Sequence, residues 1–146
     1  MINFELKFLK PLKMKSTVLF KIAGVMNLLF LLFHLPFYWM FRWEQALSTL
    51  SPDNRYIMLT FNIIANILLL YFTVVLLRYS RLLLQNAVGK SFLVLVSAFY
   101  VARIFAEFYF WGFRGVPSTV IIVLCAIPVV CCLVPLFKSP EVSYAR

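Results

Sequence analysis

Four long apolar runs constrain the fold of this chain more than any other feature of its sequence. Each is at least 21 residues long, and they cover residues 17–41, 56–77, 91–111 and 116–137. About 20 apolar residues are enough for a helix to cross the hydrocarbon core of a bilayer. A helix also satisfies its own backbone hydrogen bonds, which lipid cannot do. The runs therefore predict four transmembrane helices.

The composition agrees with a membrane protein and disagrees with a soluble one. The chain is 64% hydrophobic and 13% charged, whereas about a quarter of the residues in a soluble domain are charged. The net charge of +9 comes from residues at the ends of the apolar runs, which is not the basic face of a nucleic-acid-binding fold. We therefore expect one all-α domain, a polytopic bundle of four helices in the lipid bilayer, without a nucleic-acid partner.

The distribution of lysine and arginine predicts how the helices are oriented. Ten of these residues lie at the N-terminus, in the second loop and in the tail, and three lie in the first and third loops. Cytoplasmic loops carry the excess of basic residues. We therefore expect a cell-membrane protein with cytoplasmic termini, comprising a basic segment at 1–16, a transmembrane domain at 17–137 and a tail at 138–146. The first run is too long for the apolar part of a signal peptide and lacks a small-residue cleavage site, so we expect it to be retained.

The loop before the second run carries a clear signal for the start of a helix. Ser51 is a preferred N-cap residue, Pro52 suits the first helical position, and Asp53 carries a negative charge in the first turn. The second transmembrane helix is therefore expected to begin at Pro52.

Two opposite charges stand inside the third run. Arg103 and Glu107 are four residues apart, a spacing that brings two side chains together on one face of a helix. A charge near the centre of a bilayer costs roughly 2.5–3.5 kcal/mol on insertion scales, so such residues face the bundle interior and pair. We predict a salt bridge between them that is turned away from lipid.

Polar residues of the other runs fall at a similar depth. With a rise of about 1.5 Å per residue, His34, Asn62, Arg103 and Glu107 all lie in the outer half of the membrane, and Asn66 lies somewhat deeper. His34 belongs to a polar stripe on the first helix, which consists of Gly24, Asn27, Leu31, His34 and Tyr38. The sequence thus predicts one polar cluster that is built from three helices.

Three roles for this cluster are open at this stage. The residues could join the helices by hydrogen bonds, as polar residues between membrane helices commonly do. They could form a pocket that binds a lipid headgroup or a quinone, or Glu107 and His34 could titrate in a proton or ion pathway. We expect a non-enzymatic module that binds such an amphiphile or a membrane partner. The partner is either another membrane protein or a second copy of this chain.

The sequence supplies too few residues for a haem site, a metal site or a phosphate-binding loop. His34 is the only histidine, so one chain cannot supply two histidines to a haem, and His34 with Glu107 is too few ligands for a metal site. The stretch "VGKS" at 88–91 lacks the first glycine and the strand of a phosphate-binding loop. We predict no catalytic residue, metal or cofactor.

The stretch "FHLPFYWMFRWEQALSTLSPDNRYIMLTFN", residues 33–62, resembles an uncharacterised family of small four-helix bacterial membrane proteins. The resemblance extends over roughly residues 25–137 and implies a protein of the bacterial cell envelope, but no activity is assigned to that family. The residues that carry it are His34, Trp43, Leu47, Leu50, Asn54, Arg55, Asn62, Gly89, Lys90, Arg103, Glu107 and Pro135.

Overall fold

A computed structural model describes residues 3–138 of the chain, and their side chains from residue 16 onwards. This part of the chain forms helices connected by turns, and it contains no strand. The helices are α1 (Asn3–His34), α2 (Phe37–Met40), α3 (Trp43–Ala46), α4 (Pro52–Arg78), α5 (Ala87–Tyr109) and α6 (Val116–Lys138). The side chains of the basic segment up to residue 15, and the tail beyond Lys138, lie outside the described residues.

Four of the helices are long and apolar enough to cross a membrane, which confirms the predicted all-α class. The candidate spans are Ser16–His34, Pro52–Arg78, Ala87–Tyr109 and Val116–Lys138. Large apolar side chains cover the outer surface of these helices, as lipid requires. Examples that are about half exposed or more include Leu29, Leu32, Ile63, Ile67, Leu70, Val94, Val101, Val123 and Val130.

The first helix ends earlier than the apolar run in which it begins. The run continues to residue 41, but α1 stops at His34 and a turn separates it from α2. Pro36 explains the break, because proline has no backbone N–H and disfavours the helical conformation of the residue before it. His34 therefore lies at the last residue of a helix, not inside one that continues to residue 41.

Side-chain caps define the beginnings of α4 and α5. Ser51 Oγ accepts a hydrogen bond of 3.4 Å from the Asn54 N–H, and Pro52 is the first residue of α4, which confirms the predicted helix start. Asn86 Oδ1 accepts a bond of 2.8 Å from the Gly89 N–H at the start of α5. Each cap satisfies a backbone donor that has no partner within its own helix.

The helices close into a bundle around one core. α1 packs against α4 and α6, and α6 also packs against α5. Aromatic rings join α4 to α5, where Phe72 lies 5.7 Å from Phe92 and 5.6 Å from Phe99 between ring centroids. The buried apolar residues that form this core are Phe20, Ala23, Leu31, Leu69, Phe72, Leu76, Leu83, Phe92, Leu93, Val96, Tyr100, Cys125, Cys131 and Cys132.

Candidate functional site

A buried carboxylate lies where the end of α5 meets the beginning of α6. Glu107 is only 2% exposed, and two side chains bind its two oxygens. Arg103 Nη1 donates to Oε2 at 2.9 Å, and Ser118 Oγ donates to Oε1 at 2.8 Å. The predicted ion pair is therefore confirmed. Ser118 lies in the first turn of α6, so the carboxylate also receives the favourable field of a helix N-terminus.

The other member of the ion pair is only partly enclosed. The Arg103 side chain is 35% exposed, and its bond to Glu107 is the one hydrogen bond recorded for it within residues 16–138. A guanidinium has five N–H donors, so most of the Arg103 donors are not used. The acidic member of the salt bridge, Glu107, is thus buried, whereas the basic member, Arg103, is partly exposed.

A second arginine lies near the tryptophan that Arg103 also approaches. The Cζ atoms of Arg103 and Arg114 lie 5.9 and 5.5 Å from the ring centroid of Trp111. Arg114 is fixed twice: its backbone N–H donates to Ser118 Oγ at 2.9 Å, and its Nε donates to the Trp111 carbonyl at 3.2 Å. Ser118 thus connects the buried carboxylate to the backbone that positions Arg114.

The His34 imidazole is held by its own helix and by an aromatic neighbour. Its Nδ1 lies 2.8 Å from the Phe30 carbonyl oxygen, and its ring stacks on Phe37 with 4.3 Å between the centroids. A carbonyl can only accept, so Nδ1 carries the hydrogen and Nε2 is the nitrogen that remains for another partner. The Arg103 charge is close enough to the ring to interact with it electrostatically.

The two asparagines of α4 interact with each other through the backbone. Asn66 Nδ2 donates to the Asn62 carbonyl at 3.0 Å. Asn66 Oδ1 is the one buried side-chain N or O atom without a hydrogen-bond partner among the described residues. Buried polar atoms are nearly always hydrogen-bonded, and an exception requires an explanation.

A hydrogen bond in the core gives the relative heights of α1 and α5. Tyr100 OH donates to Asn27 Oδ1 at 2.9 Å, which places these two residues at about the same level. His34 and Glu107 are each seven residues further along their helices, or about 10 Å. They therefore lie at a common level, at the end of the bundle where α1 ends and α6 begins.

The height of α4 follows from its closest approach to α1. Gly24 lies directly against Leu76 and Leu77, and α4 runs antiparallel to α1. His34 is ten residues after Gly24 on α1, and Asn66 is ten residues before Leu76 on α4. Because the two helices run in opposite directions, Asn66 is level with His34. Asn62 lies about 6 Å nearer the end of the bundle where α1 ends. This order differs from the predicted one, in which Asn62 was level with His34 and Asn66 was deeper.

The structure thus joins some of the predicted residues and leaves others apart. Arg103 and Glu107 are bonded, and His34 and Asn66 share the level of Glu107. Within the described residues no hydrogen bond connects His34, Asn62 or Asn66 to the ion pair. Sequence reasoning did not identify Ser118, Trp111, Arg114 or Tyr100. Ser118 could have been found from its place in the first turn of the fourth helix, at the depth of Glu107.

The Asn27–Tyr100 pair stabilises the core below this level, and its effect can be measured. Asn27 is fully buried, and its Nδ2 donates to the Ala23 carbonyl at 2.8 Å. We expect Tyr100→Phe to lower the free energy of unfolding by about 1–2 kcal/mol, because Asn27 Oδ1 would lose its donor inside the core. Thermal unfolding in mild detergent would measure this. The matched control is Tyr71→Phe, since Tyr71 is 55% exposed, and an equal effect in both variants would contradict the prediction.

These observations define a class of molecule: a four-helix bundle with apolar outer faces and a polar site at one end. In the described residues, His, Cys, Asp and Glu side chains form no group of three that could hold a metal ion. The chain matches no protein-family model, no curated protein and no solved structure.

Proposed function

We propose that this chain is a non-enzymatic module of the cell membrane that holds the polar head of an amphiphile at the outer end of its bundle. The termini are cytoplasmic in this proposal, because ten of the lysines and arginines lie on that side and three on the other. The amphiphile is a lipid or a quinone. Its head would lie at the level shared by His34, Asn66 and Glu107.

Unused hydrogen-bonding capacity at this level is the observation that carries the proposal. Arg103 is partly exposed, and its side chain forms one hydrogen bond within residues 16–138, to Glu107. Asn66 Oδ1 is buried without a donor, and His34 Nε2 is left available by the bond at Nδ1. Polar atoms at membrane depth are costly when unpaired. A polar headgroup that enters between the helices would satisfy them.

The surroundings suit the apolar part of such a molecule. Aromatic side chains at the same end of α5 and in the following turn are more than half exposed, namely Phe105, Phe108, Tyr109, Phe110, Trp111 and Phe113. Aromatic residues collect at the level of the lipid headgroups, where one end of the ring is apolar and the other is wet. An acyl or isoprenoid chain could therefore lie along this surface while its head reaches the polar site.

A second function is favoured by the bonding of Glu107. Both of its oxygens have partners within the chain, and these partners lie on α5 and α6. This is what interhelical hydrogen bonds provide in a purely structural protein. The alternative is therefore an accessory subunit whose polar residues hold the bundle together and whose apolar faces contact a membrane partner or a second copy.

Native mass spectrometry in mild detergent tests the proposal. The wild type should carry a defined amphiphile adduct, and His34→Ala and Asn66→Leu should lose most of it, because each removes a free polar atom of the site. Ser97→Ala is the matched control, since the Ser97 hydroxyl is buried on the same bundle but donates at 2.8 Å to the carbonyl of Leu93 in its own helix. We expect this control to keep the adduct.

Two results would contradict amphiphile binding. One is a wild type that carries no adduct after extraction from its own membrane and after incubation with lipid. The other is an adduct that the control loses as readily as the two site variants. Either result, together with a specific complex that survives mild detergent, would favour the accessory subunit.

A further inference from the structure

The charges at the outer end of α5 and α6 do not cancel. The Cζ atoms of Arg103 and Arg114 both lie within 6 Å of the Trp111 ring centroid, and the one ion pair of the described residues joins Glu107 to Arg103. The three groups leave a local charge of about +1, since an arginine is always protonated in a protein.

The two guanidinium groups are held in fixed positions by a chain of hydrogen bonds. Arg103 binds Glu107, Glu107 accepts from Ser118, and Ser118 accepts from the Arg114 backbone. The bond from Arg114 Nε to the Trp111 carbonyl then fixes the second side chain. The cations are therefore positioned in advance, which lowers the cost of ordering them around a ligand.

An anion fits this site better than a neutral or zwitterionic head. Arg103 is bonded to Glu107, whereas Arg114 is an exposed arginine of the turn before α6 with no carboxylate bonded to it among the described residues. Arginine binds phosphate oxygens through two parallel hydrogen bonds. We propose that the headgroup held at this end is that of an anionic phospholipid, whose phosphate oxygens lie between Arg103 and Arg114 beside Trp111. This inference rests on the proposed function, and it names the class of amphiphile.

Competition between two lipids in native mass spectrometry tests the inference. The detergent-solubilised protein is incubated with equal amounts of dioleoyl phosphatidylglycerol and dioleoyl phosphatidylcholine, which differ in net charge and share their acyl chains. The wild type should retain the anionic lipid about fivefold more than the zwitterionic one, which corresponds to about 1 kcal/mol. Arg114→Gln should reduce this preference to about one, while zwitterionic lipid still binds.

Arg42→Gln is the matched control. Arg42 is an exposed arginine in the turn before α3, away from Trp111 in the sequence, and we expect this variant to keep the fivefold preference. Arg114→Lys retains the charge but not the paired donors, and we expect an intermediate value. If Arg42→Gln loses the preference as fully as Arg114→Gln does, general surface charge is responsible, and the inference is wrong.

Other outcomes of this competition experiment distinguish a failure of this inference from a failure of the proposed function on which it rests. Equal retention of both lipids by the wild type would overturn the anionic assignment but keep amphiphile binding. Retention of neither lipid would overturn both. Addition of glycerol 3-phosphate in excess distinguishes a lipid from a free phosphate: we expect it to leave the bound lipid in place, and its complete displacement of the lipid would show that the site is for a soluble phosphate.

Discussion

Glu107→Leu is expected to lower the midpoint of thermal unfolding by about 5 °C or more, the shift typical of a substantial loss of stability in a domain of this size. The substitution removes the acceptor of both Arg103 and Ser118. It leaves the partly enclosed guanidinium of Arg103 uncompensated, and the loss of one partner of a buried pair is more damaging than the loss of both. Differential scanning fluorimetry of the detergent-solubilised protein would measure the shift.

The double variant Arg103→Met/Glu107→Leu distinguishes charge from packing. It removes both charges and fills the space with apolar side chains of similar length. We expect it to recover most of the stability lost in Glu107→Leu, because no uncompensated charge remains. If the double variant is as unstable as the single one, the carboxylate stabilises the bundle mainly through Ser118 on α6, and the salt bridge contributes little.

Gly89→Ala is expected to destabilise the protein by about 2–3 kcal/mol, at the upper end of the range for overpacking. A Cβ atom at this position would clash with the Leu83 carbonyl oxygen and lie 2.7 Å from the Leu83 Cα. These are backbone atoms of the turn that leads into α5, and they cannot rotate away. The turn or the first residues of α5 would therefore have to move.

Gly24→Ala is the matched control for this prediction. A Cβ there would lie 2.7 Å from Leu77 Cδ2, the end of a side chain that can change its rotamer. We expect a loss of stability less than half as large, measured by the same thermal unfolding experiment. Equal losses in the two variants would show that the turn around Leu83 adjusts as easily as a side chain does.

Part of the site could be predicted from the sequence alone, because it depends on spacing within one helix. The rest depends on how the helices pack against each other. Arg103 and Glu107 are four residues apart on one helix, so local geometry brings them together wherever that helix packs. Ser118 meets the same carboxylate only because α6 packs against α5. Asn27 and Tyr100 are 73 residues apart and meet across the bundle. Contacts of that kind depend on how helices pack and rotate, which spacing within one helix does not specify.

The heights of the polar residues illustrate the same limit. Counting from the ends of the apolar runs placed Asn62 beside His34. The close approach at Gly24 shifts α4 so that Asn66 takes that level. Run ends are uncertain by several residues, and each residue moves a helical side chain by about 1.5 Å along the axis and about 100° around it.

The sequence by itself determined that this is an all-α protein with four helices able to span a membrane. Its apolar runs are long enough to cross a bilayer, and in lipid such a run must satisfy its backbone hydrogen bonds within a helix. It also determined the Ser51 cap and the Arg103–Glu107 pair, which are local. Only the tertiary structure decided that Ser118 binds the buried carboxylate and that Tyr100 binds Asn27 across the bundle. Packing between helices fixes these features, since side chains far apart in sequence meet only when the bundle closes.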